Sequence, residues 1–236
     1  MRALALSLLI AAALLLLVAG CGGSDAGRAT CHQPARPLTE RQLRARLLTP
    51  GDLPSGFFES RDHSEHGSDV HADSPRCQRI LGADGDDAAR QAEAFYVNGA
   101  PPVAGGHGGA YRDLTLRESL FSDKPDSVRR DFAAMRRALD RCRQVTIVEA
   151  GLRAPMTLRR ESFADLGDET LAYALRGRLL AAGMTVPANG QLVGVRVANA
   201  GAVLLTFGLG RRSGRDIEAV TRRAVRRLTS GPPASG

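Results

Sequence analysis

The cysteine and histidine side chains are the groups in this sequence most able to do covalent or metal chemistry. Three of the histidines lie in one polar segment, where His63-Ser64-Glu65-His66 is followed by Asp69 and His71. Imidazole and carboxylate groups bind zinc, but this spacing is not the His-Glu-x-x-His pattern that puts two ligands on one helical face. Its polar, acidic surroundings are typical of a loop. We therefore expect no metal here, and we expect His107, which stands among glycines, to be a loop residue rather than a base.

The first cysteine follows an apolar run at the start of the chain. Leu4–Val18 is short for a membrane span, which needs about 20 residues, and suits a signal peptide. The small residues Ala19-Gly20 before Cys21 resemble the lipobox of bacterial lipoproteins, whose cysteine thiol receives a diacylglyceryl group. We predict a signal peptide over residues 1–20 and a lipid anchor on Cys21 at the extracytoplasmic face of the cell membrane. An ordinary signal peptide with an incidental cysteine is the alternative.

Composition divides the rest of the chain. Residues 21–37 are rich in Gly, Ser, Ala, Arg and Pro without periodicity, which is typical of a tether. We predict one domain over residues 38–230, long enough for a real core, and a disordered tail over 231–236.

Three more cysteines, Cys31, Cys77 and Cys142, would then lie in an oxidising compartment, where disulfides persist. Three thiols allow one bridge and leave one over. Cys31 lies in the predicted tether, whereas the other two lie on predicted helices. We predict a Cys77–Cys142 disulfide, which would stabilise the fold by about 4 kcal/mol on the chain-entropy model. Cys31 is expected to be idle or paired between molecules, with a reactive thiol as the alternative.

The net charge is +7, and nearly all of the positive charge comes from arginine, because Lys124 is the only lysine. A basic surface favours anionic lipid or acidic envelope polymers, while a solvated arginine-rich surface is the simpler interpretation. Nucleic acid is not an expected partner outside the cell, and the oligomeric state is left open.

The sequence contains no Gly-x-Ser-x-Gly nucleophile elbow and no phosphate-cradling loop. Asp168 and Glu169 are adjacent, and neighbours in a strand point to opposite faces, so we expect a turn contact or a helix cap rather than a catalytic pair. We predict no catalytic residues, no cofactor and no enzymatic activity.

Periodicity predicts several helices. Thr39 and Gln42 can form a capping box for a helix that ends before Pro50, and Ser74 can begin a short helix. The clearest helix follows Ser122 and places an apolar face at Val128, Phe132, Met135, Leu139 and Cys142. The last helix, over Arg215–Thr229, buries Ile217, Val220, Ala224, Val225 and Leu228 and turns Arg222, Arg223, Arg226 and Arg227 outward.

Strand-like runs fill the space between these helices. They lie at residues 92–97, 111–121, 144–148, 157–163, 170–178, 191–198 and 202–209, with a hairpin turn at Asn199-Ala200-Gly201. Consecutive strands with flanking helices indicate an α+β fold, a single domain with a twisted, mostly antiparallel sheet and packed helices.

Several of these features together resemble the PknH-type extracellular sensor domains and their stand-alone actinobacterial lipoprotein relatives. They are the stretch Leu47–Phe57, Cys77 before Leu81, Cys142 at the end of the long helix, Leu166–Glu169 before a strand, and the closing hairpin and helix over Val193–Leu228. The resemblance implies one sensor-like domain with a cleft for an undefined ligand.

The predicted function is therefore a membrane-anchored, non-catalytic lipoprotein with a ligand-binding domain, its binding residues unknown. A structural or protein-interaction lipoprotein of the envelope is the alternative. A cleft with apolar and polar lining favours the first, and a flat arginine-rich face without a cleft favours the second.

Overall fold

A computed structural model of the protein describes residues 36–60, 69–72, 90–98, 114–149, 152–181, 184–209 and 214–230. All of them belong to one compact unit, Gln33–Gly236.

The described strands form one antiparallel sheet. They are β1 Phe57–Glu59, β2 Asp69–Ala72, β3 Gln91–Asn98, β4 Leu114–Ser122, β5 Gln144–Glu149, β6 Leu152–Arg160, β7 Glu169–Ala181, β8 Met184–Val197 and β9 Ala200–Leu209. Their order across the sheet is β1-β3-β4-β9-β8-β7-β6-β5-β2, and β7 with β8 forms the longest pairing, from Glu169↔Arg196 to Ala181↔Met184.

Three α-helices accompany the strands in the described part of the chain: α1 Glu40–Arg44, α2 Pro125–Leu139 and α3 Gly214–Ser230. A 3₁₀ turn, Pro50–Asp52, lies in the connector, residues 45–56, which joins α1 to β1. The predicted α+β fold with an antiparallel sheet and packed helices is confirmed.

One core lies between α1, the connector, α3 and one face of the sheet. Alternate residues of a strand share a face, so β4 turns Leu116 and Leu120 toward this core, and both are buried. The helices contribute Leu43 from α1 and Leu228 from α3, both fully buried. The predicted buried face of α3 is confirmed, since all five of its residues are buried.

A second core lies on the opposite face, under α2. Phe132 and Leu139 of α2 pack there with Met156, Leu171 and Leu175 of β6 and β7. The predicted apolar face of this helix is confirmed, although Met135 is only half-buried. Burying such side chains contributes about 1.5–3 kcal/mol each, so both faces of the sheet stabilise the fold.

The N-terminal helix is shorter than predicted. The Thr39–Gln42 capping box is present, but α1 ends at Arg44, five residues before Thr49. The Leu47 N–H donates to the carbonyl of Arg44 instead of Leu43, and this tighter turn ends the α-helical ladder.

The hairpin between β8 and β9 turns at a different place from the prediction. Val197 pairs with Ala200, so the two turn residues are Ala198, at φ 51°, and Asn199. Gly201 serves packing instead, because a Cβ there would lie 2.3 Å from the ring of Phe121.

Two further predictions need correction. His71 lies in β2, where it pairs with Thr146, although its segment was expected to be a loop. In α3, Arg223 and Arg227 do not simply face out, because both contact the connector. The Arg223 guanidinium donates to the Asp52 carbonyl at 2.7 Å, and Arg227 lies 3.2 Å from the Asp52 carboxylate.

Among the described residues, no helix has the length and apolar content needed to cross a bilayer.

Candidate functional site

A cavity of about 590 Å³ opens where β6 extends past the start of β5. Gln144, the first residue of β5, pairs with Thr157, so the end of β6 is paired with β7 on one side and on the other side faces the segment that follows α2. Ten residues line the cavity: Leu139, Asp140, Cys142, Arg143, Gln144, Thr157, Leu158, Arg159, Arg160 and Tyr173. They come from three separate segments, which α2 and β7 hold in place.

The buried part of this lining is apolar. Leu139, Leu158, Cys142 and the ring of Tyr173 are all buried. They belong to the core under α2 or adjoin it, so the inner wall of the cavity is part of the packed interior and is held rigidly.

The exposed part of the lining is polar and basic. Arg143 and Arg160 stand against one carboxylate, Asp140, and all three residues are exposed. Neither guanidinium group has an ion-pair partner in the described part of the chain, so the cavity presents excess positive charge. Guanidinium groups bind carboxylate and phosphate through paired hydrogen bonds. The cavity is therefore suited to an anion.

Tyr173 joins the two parts of the lining. Its hydroxyl donates a 2.6 Å hydrogen bond to Asp140 Oδ1. Burial raises the pKa of Tyr173 far above its usual value, and the hydrogen bond to Asp140 and the charge of that carboxylate raise it further. The phenol therefore stays protonated at any physiological pH and acts as a hydrogen-bond donor.

A network of charges fixes α2 against the sheet next to the cavity. Arg136 of α2 lies 2.7 Å from Glu169 of β7, and Glu169 also lies 3.6 Å from Arg196 of β8. Arg196 in turn contacts Asp168 at 3.2 Å. Together with the bond from Tyr173 to Asp140, these contacts hold the end of α2 over β7, which sets the position of the cavity wall.

Asp168 makes the turn contact that the sequence predicted. Its carboxylate accepts a 2.6 Å hydrogen bond from the Ala198 N–H, in the turn between β8 and β9. The two neighbouring carboxylates nevertheless share Arg196, because Asp168 lies in the bend before β7 and not in the strand itself. Asp168 therefore ties the turn between β8 and β9 to the start of β7, and Glu169 ties α2 to the same strand.

A second unusual group lies away from the cavity, in the core beneath α1. Glu118 of β4 is fully buried, and its Oε2 accepts a 2.8 Å hydrogen bond from the Leu48 N–H. The Tyr96 hydroxyl lies 3.5 Å from the same oxygen and donates to the Leu48 carbonyl at 2.5 Å. Glu118 Oε1 has no hydrogen-bond partner within the described residues.

Burial is the main reason that the pKa of Glu118 is raised to about 7. The hydrogen bond from Leu48 and the positive charge of Arg227 oppose that rise, while the charge of Asp52 adds to it. The carboxyl is enclosed rather than open to a ligand, so it bears on stability and its dependence on pH rather than on binding.

The structure reaches only some of the residues singled out in the sequence. Cys142 is buried and lines the cavity, as its apolar helical position predicted. Cys21, Cys31, Cys77, His63, His66 and His107 lie outside the described residues, so lipidation and the Cys77–Cys142 bridge stay predictions. No group of metal-binding side chains occurs among the residues described.

Sequence reasoning did not find the cavity. Arg141-Cys142-Arg143 and Arg159-Arg160 were visible as paired basic residues near one predicted helix end and one predicted strand. These pairs did not indicate a binding site, because arginine is abundant throughout the chain.

No protein-family model matches the chain, and no curated protein matches it. Among solved structures, it is similar to the extracellular domain of PknH from Mycobacterium tuberculosis, with a TM-score of 0.55 and 11% sequence identity. The match covers 82% of this chain and 98% of that chain. The two share a fold. This agrees with the resemblance seen in the sequence, at the level of the fold alone.

Proposed function

We propose that the protein is a membrane-anchored extracytoplasmic lipoprotein whose sensor-like domain binds a small anionic ligand without converting it. The observation that carries this proposal is the cavity beside α2, where Arg143 and Arg160, which have no ion-pair partners in the described part of the chain, stand beside a buried apolar wall.

The lining of the cavity indicates the class of ligand. Arg143 and Arg160 suit a carboxylate or phosphate group, and Tyr173, Leu139 and Leu158 offer apolar surface to the rest of the molecule. The volume of about 590 Å³ falls within the range of about 300–1,000 Å³ that is usual for small-molecule sites. A ligand with one acidic group and a compact apolar or sugar-like body fits both parts of the lining.

The groups in the cavity favour binding over turnover. Asp140 already accepts the hydrogen bond of Tyr173, and the raised pKa of Tyr173 keeps its proton in place. A general base needs a pKa near the working pH and an accessible proton acceptor. Tyr173 does not give up its proton and Asp140 is engaged by the Tyr173 hydroxyl, and this use of the two side chains supports the non-catalytic proposal.

Two observations support the extracytoplasmic, anchored part of the proposal. The first is the predicted signal peptide and the lipobox at Cys21. The second is the fold shared with a domain that is extracellular in PknH.

A thermal-shift titration with matched pairs of compounds tests the proposal. Each pair consists of an envelope-type fragment with and without its acidic group, such as N-acetylglucosamine 1-phosphate against N-acetylglucosamine. A ligand at a hundred times its dissociation constant stabilises the folded state by about 2.7 kcal/mol, which raises the melting temperature by several degrees. We expect this rise only with the anionic member of a pair.

The variant Arg143→Gln/Arg160→Gln removes the two charges that belong to the cavity alone, and Arg226→Gln, exposed on α3, serves as the control for lost surface charge. The shift should disappear in the first variant and persist in the second. An equal shift in both would place binding elsewhere. Chemical conversion of the ligand at catalytic protein concentrations would contradict the non-catalytic proposal.

A further inference from the structure

One face of strands β6 and β7 carries a group of exposed arginines, called here the arginine face: Arg153, Arg159, Arg176 and Arg178. Alternate residues of a strand share a face, which places Arg153 and Arg159 on the same side of β6. The register then brings β7 alongside, with Thr157 opposite Arg176 and Arg159 opposite Ala174. All four arginines are exposed.

The pairing makes this a continuous surface. Directly opposite residues of an antiparallel pair have Cβ atoms about 5 Å apart, and diagonal neighbours lie about 7–8 Å apart. Arg159 and Arg176 are diagonal neighbours, and Arg176 and Arg178 are two residues apart on one strand. The four guanidinium groups therefore project from the same side of two adjacent strands.

The half-buried Glu161 lies at one end of this surface, two residues beyond Arg159 on the same side, where its carboxylate accepts a hydrogen bond from the Gln191 side chain rather than from an arginine. None of the four arginines forms an ion pair or a side-chain hydrogen bond within the described residues, and their exposed neighbours on this face are uncharged: Pro155, Thr157, Leu180, Thr185 and Pro187. Like charges on neighbouring strands repel each other. A surface that gathers positive charge in this way is complementary to an extended anionic partner.

Leu180 gives the arginine face an apolar contact at one end. Leu180 lies opposite Arg153, and its side chain is 60% exposed. The other large apolar side chains whose burial is described are buried or half-buried. Arginine and an exposed aliphatic group together suit the boundary between lipid headgroups and acyl chains, because the arginine stems can lie along apolar surface while their charges stay in water.

We propose that the arginine face docks on an anionic phospholipid bilayer, so that the domain lies against the membrane with β6 and β7 toward the headgroups. A small anion would engage one or two arginines, whereas four on an open strand surface match a surface of many charges. The predicted anchor also favours a bilayer, and this part rests on the proposed function. Cys21 precedes Leu38, the first buried residue described, by 17 residues, a length that for a Gly-rich tether spans about 23 Å on average.

Vesicle flotation tests this docking separately from the lipid anchor. The protein used is the mature chain from residue 21 with Cys21→Ser, which lacks both the leader and the lipid, after a cooperative melt has shown that it is folded. It is mixed with vesicles of phosphatidylcholine alone or of phosphatidylcholine and phosphatidylglycerol in equal amounts. Binding is expected only to the anionic vesicles and should weaken as salt rises.

The decisive comparison uses two triple variants that change the net charge equally. Arg153→Gln/Arg176→Gln/Arg178→Gln removes charge from the arginine face, leaving Arg159 because it also lines the cavity. Arg130→Gln/Arg137→Gln/Arg226→Gln removes three exposed arginines from α2 and α3. Each arginine at an anionic surface contributes about a fivefold gain in binding, so the first variant should bind about a hundredfold more weakly and the second much less so.

Three results would overturn the docking proposal. They are equal losses in the two triple variants, equal binding to neutral and anionic vesicles, and no vesicle binding by a protein that still binds a soluble polyanion. Ligand binding in the cavity is measured separately, by the thermal-shift titration, which depends on Arg143 and Arg160. A failure of membrane docking would therefore leave the proposed function standing, and the reverse also holds.

Discussion

The buried carboxyl of Glu118 should make the stability of this protein fall between mildly acidic and mildly basic pH. Replacing it with glutamine keeps an oxygen that can accept the hydrogen bond from the Leu48 N–H at 2.8 Å and removes the charge. The side chain also stays about the same size, so the packing around Tyr96 is preserved.

The sign and size of the effect follow from the pKa. A free glutamate loses its proton near pH 4.5, while Glu118 in the folded protein keeps it to about 7. In that window the unfolded chain binds fewer protons than the folded protein, so stability decreases with rising pH. The contribution is fully present below pH 4.5 and is lost as the pH passes about 7. Between about pH 5 and pH 8 the loss of stability amounts to about 2–3 kcal/mol.

The assay is chemical denaturation of the wild type and of Glu118→Gln at about pH 5 and about pH 8. The difference in free energy of unfolding between the two proteins should move in favour of glutamine by about 2–3 kcal/mol from the lower to the higher pH. Glu40→Gln, which removes an exposed carboxylate from α1, should follow the wild type. If Glu118→Gln retains the wild-type fall in stability, the buried charge is not its cause.

Three further predictions concern the fold and the anchor. Gly177→Ala should lower the free energy of unfolding by more than about 2 kcal/mol, because the added Cβ would lie 2.0 Å from the Pro155 carbonyl oxygen. Gly51→Ala is the control and should be well tolerated, because its Cβ would meet only the Thr49 hydroxyl, at 3.8 Å. Similar stabilities for the two variants would contradict this packing argument. Cys21→Ala should abolish labelling by a fatty-acid probe, and equal labelling of the variant would refute lipidation. Non-reducing peptide mapping should find Cys77 joined to Cys142, and a map joining Cys31 to either would make the predicted tether part of the fold.

The sequence predicted those elements whose own residues carry a strong local signal. The apolar repeat from Val128 to Leu139 predicts α2, and the Thr39–Gln42 pair predicts the start of α1. The alternation of residues along β4 also indicates a buried carboxylate, which was not predicted. Glu118 shares its strand parity with Leu116 and Leu120, which places a carboxylate on the apolar face of β4.

The remaining features depend on tertiary contacts that local patterns do not encode. The cavity joins residues from three segments, and its position depends on where β5 begins beside β6. The hairpin turn was placed one residue too late because glycine favours turns. Gly201 is needed for the close approach of Phe121 instead, and Ala198 takes the positive φ.

Native mass spectrometry of the full chain purified from its own envelope tests the central claim most directly. A small anionic molecule should copurify with the wild type and with Arg226→Gln, and it should be absent from Arg143→Gln/Arg160→Gln. A wild-type protein that carries no added mass, or a bound mass that survives loss of both cavity arginines, would contradict the claim that this cavity binds an anion.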